Sequence, residues 1–200
     1  MKNVLIILPK GFEMFEAAAF SDVFGWARDV GKQEVRTFLC GLESEVEPAF
    51  SNNNNPHIVR PNILIDEIHA ADYDAIAIPG GFGKYGYYES GFDGRILKLI
   101  RSFDEQGKPI AAVCTAALVL GKSGILSGRT ATTYNSDNGM YFRQLETFGV
   151  IASEKNLVVD ENVITSSGPQ SAPLVALKLL EMLTSKEIAG HIARVMGFEE

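Results

Sequence analysis

The chain has 200 residues, 46% of them hydrophobic and 22% charged, and a formal net charge of −7 at pH 7. That length suits one domain spanning 1–200, with a core large enough to need neither disulfides nor a structural metal. The pI of about 5.1 and the lack of any basic run or stripe argue against nucleic-acid and membrane-surface partners, leaving small molecules and other proteins.

The chain opens with Met1-Lys2-Asn3 followed by Val4-Leu5-Ile6-Ile7-Leu8, an apolar run only one strand long. No small-residue cleavage site follows it, so it reads as the first buried strand rather than a leader. Further along, aliphatic runs predict strands over 34–39, 75–78, 110–113, 131–133 and 163–166. A hairpin-like pair is predicted over 57–60 and 63–65, and another strand over 157–159. Helical periodicity covers 15–30, 95–105, 115–123, 139–148, 172–184 and 186–196. Ser171 is the expected cap of the fifth helix, with Pro173 in its first turn. This alternation is the mark of an α/β chain, a mostly parallel sheet with helices on both faces. The polar stretch from Glu43 through Asn52-Asn53-Asn54-Asn55-Pro56 interrupts it and reads as a surface insertion, with a lid over a site as the alternative. No apolar run reaches the ~20 residues that span a bilayer. Cys40 and Cys114, the two cysteines, lie far apart without metal-ligand spacing, so we expect no disulfide, no metal or other cofactor, and a cytoplasmic location.

Cys114 stands where Ile110-Ala111-Ala112-Val113 ends and Thr115-Ala116-Ala117-Leu118 begins. A strand-to-helix turn of this kind is a nucleophile elbow, and small residues two before and two after the nucleophile, here Ala112 and Ala116, are what it requires. A thiol at a helix N-terminus is biased toward thiolate. The alternative for Cys114 is a small buried hydrophobe.

In doubly wound sheets, ligands bind beyond the carboxyl ends of the strands, and three such places accompany Cys114. After the first strand, Pro9-Lys10-Gly11-Phe12-Glu13-Met14-Phe15-Glu16 supplies two acids; Glu16, in the first turn of the helix, is the better site candidate, and Glu13 is expected in the wetter loop. A carboxyl beside a thiol would share a proton with it and titrate as a unit. Either acid could instead serve only as favourable charge at a helix N-terminus. After 75–78, Pro79-Gly80-Gly81 lets the backbone approach closely, and the Gly81 and Thr115 amides are candidate oxyanion donors. The third place, Thr132-Thr133-Tyr134-Asn135-Ser136-Asp137, offers a phenol in Tyr134, a poor base at neutral pH. None of His57, His69 and His191 follows a strand that would adjoin Cys114, so no Cys-His dyad is predicted.

Taken together, Glu16, Pro79-Gly80-Gly81, Ile110-Ala111-Ala112-Val113-Cys114 and Ser166-Ser167-Gly168-Pro169 resemble the ThiJ/PfpI superfamily along nearly the whole chain. The resemblance implies a flavodoxin-like, class I glutamine-amidotransferase-like sandwich that assembles as a dimer or larger, with a homodimer expected here. It implies Cys114 as nucleophile or oxidation-sensitive thiol, Glu16 as its acidic partner, and Gly81 with Thr115 as anion-hole donors. Gly80, Tyr134, Gly168 and Pro169 would line the site. Tyr134 occupies the place where many members carry histidine, and Ser167 the place where the deglycase branch carries arginine.

Two functions follow as expectations. One is a cofactor-free enzyme in which Cys114 attacks a small electrophilic carbonyl or nitrile carbon while Glu16 shuttles a proton, covering glyoxalase-like, deglycase-like and hydratase-like chemistry. The other is a stress-response protein whose Cys114 is oxidised to sulfenic and sulfinic acid. Intracellular peptidase activity ranks last, because neither a base for the thiol nor a peptide cleft is legible. A homodimer contact through the first helix is expected from Phe12, Met14, Phe15, Phe20, Phe24 and Trp26, more apolar surface than one helix face needs.

Overall fold

The computed structural model describes residues 1–136 and 138–198, so Asp137 of the predicted polar strand end lies outside the described residues. Among the described residues nine strands form in chain order: β1 Lys2–Leu8, β2 Val35–Gly41, β3 Ile63–Leu64, β4 Ala75–Ile78, β5 Ile110–Ala112, β6 Thr130–Ala131, β7 Ile151–Ala152, β8 Leu157–Asp160 and β9 Val163–Ser166. The helices are α1 Met14–Asp29, α2 Tyr87–Gly91, α3 Gly94–Glu105, α4 Ala116–Ser123, α5 Met140–Glu146, α6 Ala172–Leu183 and α7 Lys186–Val195.

Seven strands make one sheet in the order β3-β2-β1-β4-β5-β9-β8. Every pairing in it is parallel except β8 with β9. Central strands buried on both faces must be apolar throughout, and β1, β4 and β5 are: Val4-Leu5-Ile6-Ile7-Leu8, Ala75-Ile76-Ala77-Ile78 and Ile110-Ala111-Ala112 are all buried. The register sets Ile6, Ala77, Ala111 and Ile164 side by side across the sheet. Helix α1 packs with α6 and α7, while α3 packs with α4 and α4 with α5, giving a helical layer on each side. The strand order turns at β1, whose neighbours are β2 and β4, and the carboxyl ends of β1, β4, β5 and β9 therefore open onto one crevice.

The expected hairpin over 57–65 does not form. Pro61, which has no N–H to give a ladder, separates two unrelated pairings. Val59 bridges antiparallel to Val46, closing the Asn-rich excursion, and β3 joins β2 in parallel. The excursion turns at Asn52, whose Oδ1 accepts from the Asn54 and Asn55 amides. It is tied to the first loop by Gly11 N–H donating to the Glu47 carbonyl and Ala49 N–H to the Phe12 carbonyl. Ser171 is the N-cap residue of α6, but its hydroxyl donates to the Gly168 carbonyl at 2.6 Å and makes no cap bond. The strand predicted over 131–133 stops at Ala131, because Thr132 and Thr133 bond elsewhere; it pairs with β7 in a separate two-stranded sheet.

Candidate active site

The apolar strand β5 delivers the chain to Cys114, and α4 starts two residues later. Between them Cys114 takes φ +56°, a left-handed conformation that costs an L-residue about 1–2 kcal/mol. The surroundings hold it there. The Cys114 amide donates to the Ser166 carbonyl at 2.9 Å, and Thr133 Oγ1 donates to the Cys114 carbonyl at 3.0 Å. Ala112 and Ala116 are fully buried, leaving no room for larger side chains beside the turn. The Thr115 amide donates to the Cys114 sulfur. Cys114 itself is 7% exposed.

Glu16, in the first turn of α1, is 0% exposed. Its Oε2 accepts the Gly80 amide at 2.5 Å, and its carboxyl is a hydrogen-bonding neighbour of the Cys114 thiol. Gly80 must be glycine for this: a Cβ there would lie 2.8 Å from the Val113 carbonyl oxygen and 3.0 Å from both Cys114 Cβ and Glu16 Oε2. The turn is pinned from the other side by Tyr87, fully buried, whose hydroxyl donates to the Pro79 carbonyl at 2.7 Å.

Burial, followed by the charge of Glu13, raises the Glu16 carboxyl to about 8, so it is mostly protonated at neutral pH. Burial and the Glu16 charge push the Cys114 thiol up as well, against the pull of the Thr115 amide. The expectation of a thiolate made by the helix N-terminus alone is therefore corrected: desolvation outweighs the dipole. What remains is a coupled pair. Removing one proton from it leaves a single negative charge shared by sulfur and carboxyl, and a protonated Glu16 can hydrogen-bond the thiolate form.

Gly81 departs from its expected role. Its amide donates to Thr115 Oγ1 at 3.0 Å, and that hydroxyl donates back to the Gly81 carbonyl at 2.9 Å. Both backbone groups of Gly81 are thus consumed in tying the β4 turn to the elbow, and of the two expected anion donors only the Thr115 amide faces the sulfur. Gly168 and Pro169 begin the turn after β9, and it is the Ser166 carbonyl before them that reaches Cys114. Tyr134 is half-buried and packs edge-on against Tyr141, ring centres 6.1 Å apart; Tyr141 in turn lies 6.3 Å from Tyr88. The three histidines are exposed at His57, His69 and His191, away from these contacts.

Two residues belong to the site without having been read as such, Thr133 and Tyr88, and Glu13, the lesser of the two candidate acids, joins them. Glu13 is only half exposed, and its carboxyl interacts with Glu16. Its spacing three residues before Glu16 places both on one side of the helix start, which was the available signal. Thr133 fixes the Cys114 carbonyl. Tyr88 lies in a helix too short to show periodicity, and its buried hydroxyl sits beside Thr115 and Tyr141. Among the described residues no cluster of three His, Cys, Asp or Glu could hold a metal ion. A surface groove of about 710 Å³ between α6 and α7 shares no lining residue with the elbow.

Comparison with known families decides the wider kinship, since the DJ-1/PfpI family model matches residues 2–182. The chain is a member of the DJ-1/PfpI family. It is 31% identical over 193 residues to Protein dj-1beta of Drosophila melanogaster, covering 96% of this chain and 95% of that one. The crystal structure of Drosophila DJ-1beta matches with a TM-score of 0.80 over 98% of this chain and 97% of that one, which accounts for the flavodoxin-like α/β fold. An oxidised DJ-1 of Toxoplasma gondii, 28% identical, matches with the same TM-score over 98% of both chains. Isonitrile hydratase of Pseudomonas putida is 35% identical over a shorter stretch of 116 residues, 58% of this chain and 48% of that one. In this DJ-1/PfpI member the elbow cysteine, the buried carboxyl and the Gly-Gly turn form one connected unit.

Proposed function

We propose that this DJ-1/PfpI protein is a cofactor-free, cysteine-dependent enzyme for small electrophilic carbonyl compounds, with Cys114 as nucleophile and Glu16 as proton shuttle. The observation that carries this reading is the pairing of a strained elbow thiol with a fully buried carboxyl raised to about 8, poised to give and take a proton near neutral pH.

A 2-oxoaldehyde illustrates the chemistry. The sulfur bonds to the aldehyde carbon, and the thiol proton passes through Glu16 to the carbonyl oxygen, giving a hemithioacetal. Glu16 then removes the hydrogen on that carbon as a proton, and a proton is returned to the neighbouring carbon, so the first is oxidised as the second is reduced. Water cleaves the resulting thioester, releasing a 2-hydroxy acid and the free thiol. The Thr115 amide is the donor available to the developing oxyanion. The kinship with an isonitrile hydratase supports testing isonitriles beside oxoaldehydes.

The test is turnover of methylglyoxal to lactate, with an aliphatic isonitrile assayed in parallel. Wild type should turn over at least one of them, Cys114→Ser should lose it, and Glu16→Gln should lose most of it. Full activity in Cys114→Ser would sink the assignment. A second reading, oxidation of Cys114 in a stress response, is favoured by the relative solved in its oxidised form. Intact mass during graded peroxide exposure tests it, with selective oxygen addition at Cys114 expected and Cys40, fully buried in β2, as the slow internal comparison.

We also propose a homodimer through α1 and a cytoplasmic location. Phe12, Phe20 and Phe24 are used in the core, while Met14, Phe15 and Trp26 are exposed by 47%, 58% and 40% and supply the contact. Two unpaired cysteines suit a reducing compartment. Sedimentation at micromolar concentration decides the first, and a monomer there would remove it. Peptide cleavage is not proposed, because Cys114 is only 7% exposed and the three histidines that could serve as its base are exposed and away from it.

A further inference from the structure

A fully buried acid-base group needs a route for its proton. Glu16 is 0% exposed, Oε2 is occupied by the Gly80 amide, and Oε1 accepts no hydrogen bond from a backbone amide, leaving the Cys114 thiol and the Glu13 carboxyl as the polar groups beside the acid. The ionisable groups that act on it are the Cys114 thiol, the Tyr87 phenol and the Glu13 carboxyl. Tyr87 is fully buried with its proton committed to the Pro79 carbonyl, and Cys114 is the reacting group. Glu13 differs from both in being half exposed. An orphaned carboxylate oxygen whose polar neighbour is another carboxyl is satisfied only when a proton sits between them.

We infer that Glu13 is the proton relay between solvent and Glu16, so that the Cys114–Glu16 pair gains and loses its proton through the Glu13 carboxyl. This rests on the enzymatic reading of the same site for its kinetic consequence, and on geometry alone for the coupling. The backbone supports a fixed relay. The Glu13 amide donates to the Gly80 carbonyl at 2.8 Å while the Gly80 amide holds Glu16, so one glycine peptide positions both acids. Glu13 is also the N-cap residue of α1 but makes no side-chain cap bond, which leaves its carboxyl unused by the helix. Glu13 acts through Glu16 and is a positioning residue; it does not touch substrate.

The experiment compares wild type with Glu13→Gln, Glu13→Ala and Glu13→Gln in a Glu16→Gln background. The activity-free readout is the pH dependence of Cys114 alkylation by iodoacetamide, followed by intact mass. Glu13 carries the charge that opposes ionisation of Glu16 and Cys114, so Glu13→Gln should move the midpoint about one pH unit toward acid. In turnover, kcat should fall about a hundredfold with KM unchanged. Glu13→Ala leaves room for a small acid, and added formate should restore much of its kcat. In the Glu16→Gln background the Glu13 substitution should cost nothing more. An alkylation profile identical to wild type, or unchanged kcat in Glu13→Gln, overturns the relay. If wild type turns over neither substrate, the enzymatic reading fails and the alkylation arm decides alone: an acid shift upholds the coupling of Glu13 to the buried pair, and no shift ends it.

Discussion

Gly80 and Glu16 are joined by the 2.5 Å hydrogen bond that turns the end of β4 into a cradle for the buried acid. The contact explains why the chain has no side chain at this point. Gly80→Ala would force a methyl group against the Val113 carbonyl, Cys114 Cβ and Glu16 Oε2 at 2.8–3.0 Å. Two of those three neighbours belong to the backbone or to a Cβ and cannot swing away. We expect the variant to lose about 2 kcal/mol in urea unfolding, and to alkylate Cys114 with an altered pH profile. Wild-type stability together with a wild-type profile would show that the cradle is not needed.

The rate of the proposed reaction should follow the ionisation of the pair. With Glu16 raised to about 8, the pair holds both protons below that pH, and loss of one creates the reactive form. Log kcat/KM should therefore rise about one unit per pH unit from 6 and level off above about 8. In Glu16→Gln this inflection should vanish from the residual rate. A flat profile in wild type between pH 6 and 9 would contradict the shuttle.

The same shift carries a stability consequence of definite sign. Glu16 has a folded value near 8 against an ordinary 4.5, so the folded chain retains a proton that the unfolded chain releases. Its contribution is fully present below about 4.5 and is lost as pH rises through about 8. Thermal unfolding should show wild-type Tm falling relative to Glu16→Gln between pH 5.5 and 8.5. Parallel Tm curves for the two proteins would remove the claim that burial raises this carboxyl.

Much of this site was legible because it lies where strands end. Two of the strands, 75–78 and 163–166, form with the bounds that their aliphatic runs indicate, and Cys114, Glu16 and Gly80 follow from the rule that sites gather beyond such ends. Less visible was what each backbone group would already be doing. Gly81 looks like an anion donor in sequence, but its amide is committed to Thr115 Oγ1, a bond between residues 34 apart. The thiol's acidity was misjudged for a related reason: a helix N-terminus is readable from sequence, whereas the desolvation that opposes it depends on packing from the whole fold. Glu13 is the wetter of the two acids, as its place before the helix indicates, but that Gly80 draws it against Glu16 depends on the fold.

The elbow's strain can be measured separately from its chemistry. Cys114→Ala and Cys114→Gly both remove the sulfur, so both should abolish turnover, and they differ in whether a Cβ is carried at φ +56°. Glycine reaches that region freely, and alanine meets the carbonyl clash that makes it costly for L-residues. Against this, glycine loses more backbone freedom on folding, a term of about 0.5–1 kcal/mol. The hydrogen bonds from Cys114 to Ser166 and from Thr133 to Cys114 fix the conformation in either variant, so the native φ is not free to relax. We expect Cys114→Gly to match or exceed Cys114→Ala in urea unfolding by up to about 1 kcal/mol. At a strand-to-helix junction with ordinary dihedrals the order would be reversed. Alanine more stable by 1 kcal/mol or more would therefore show that the elbow stores no strain at Cys114.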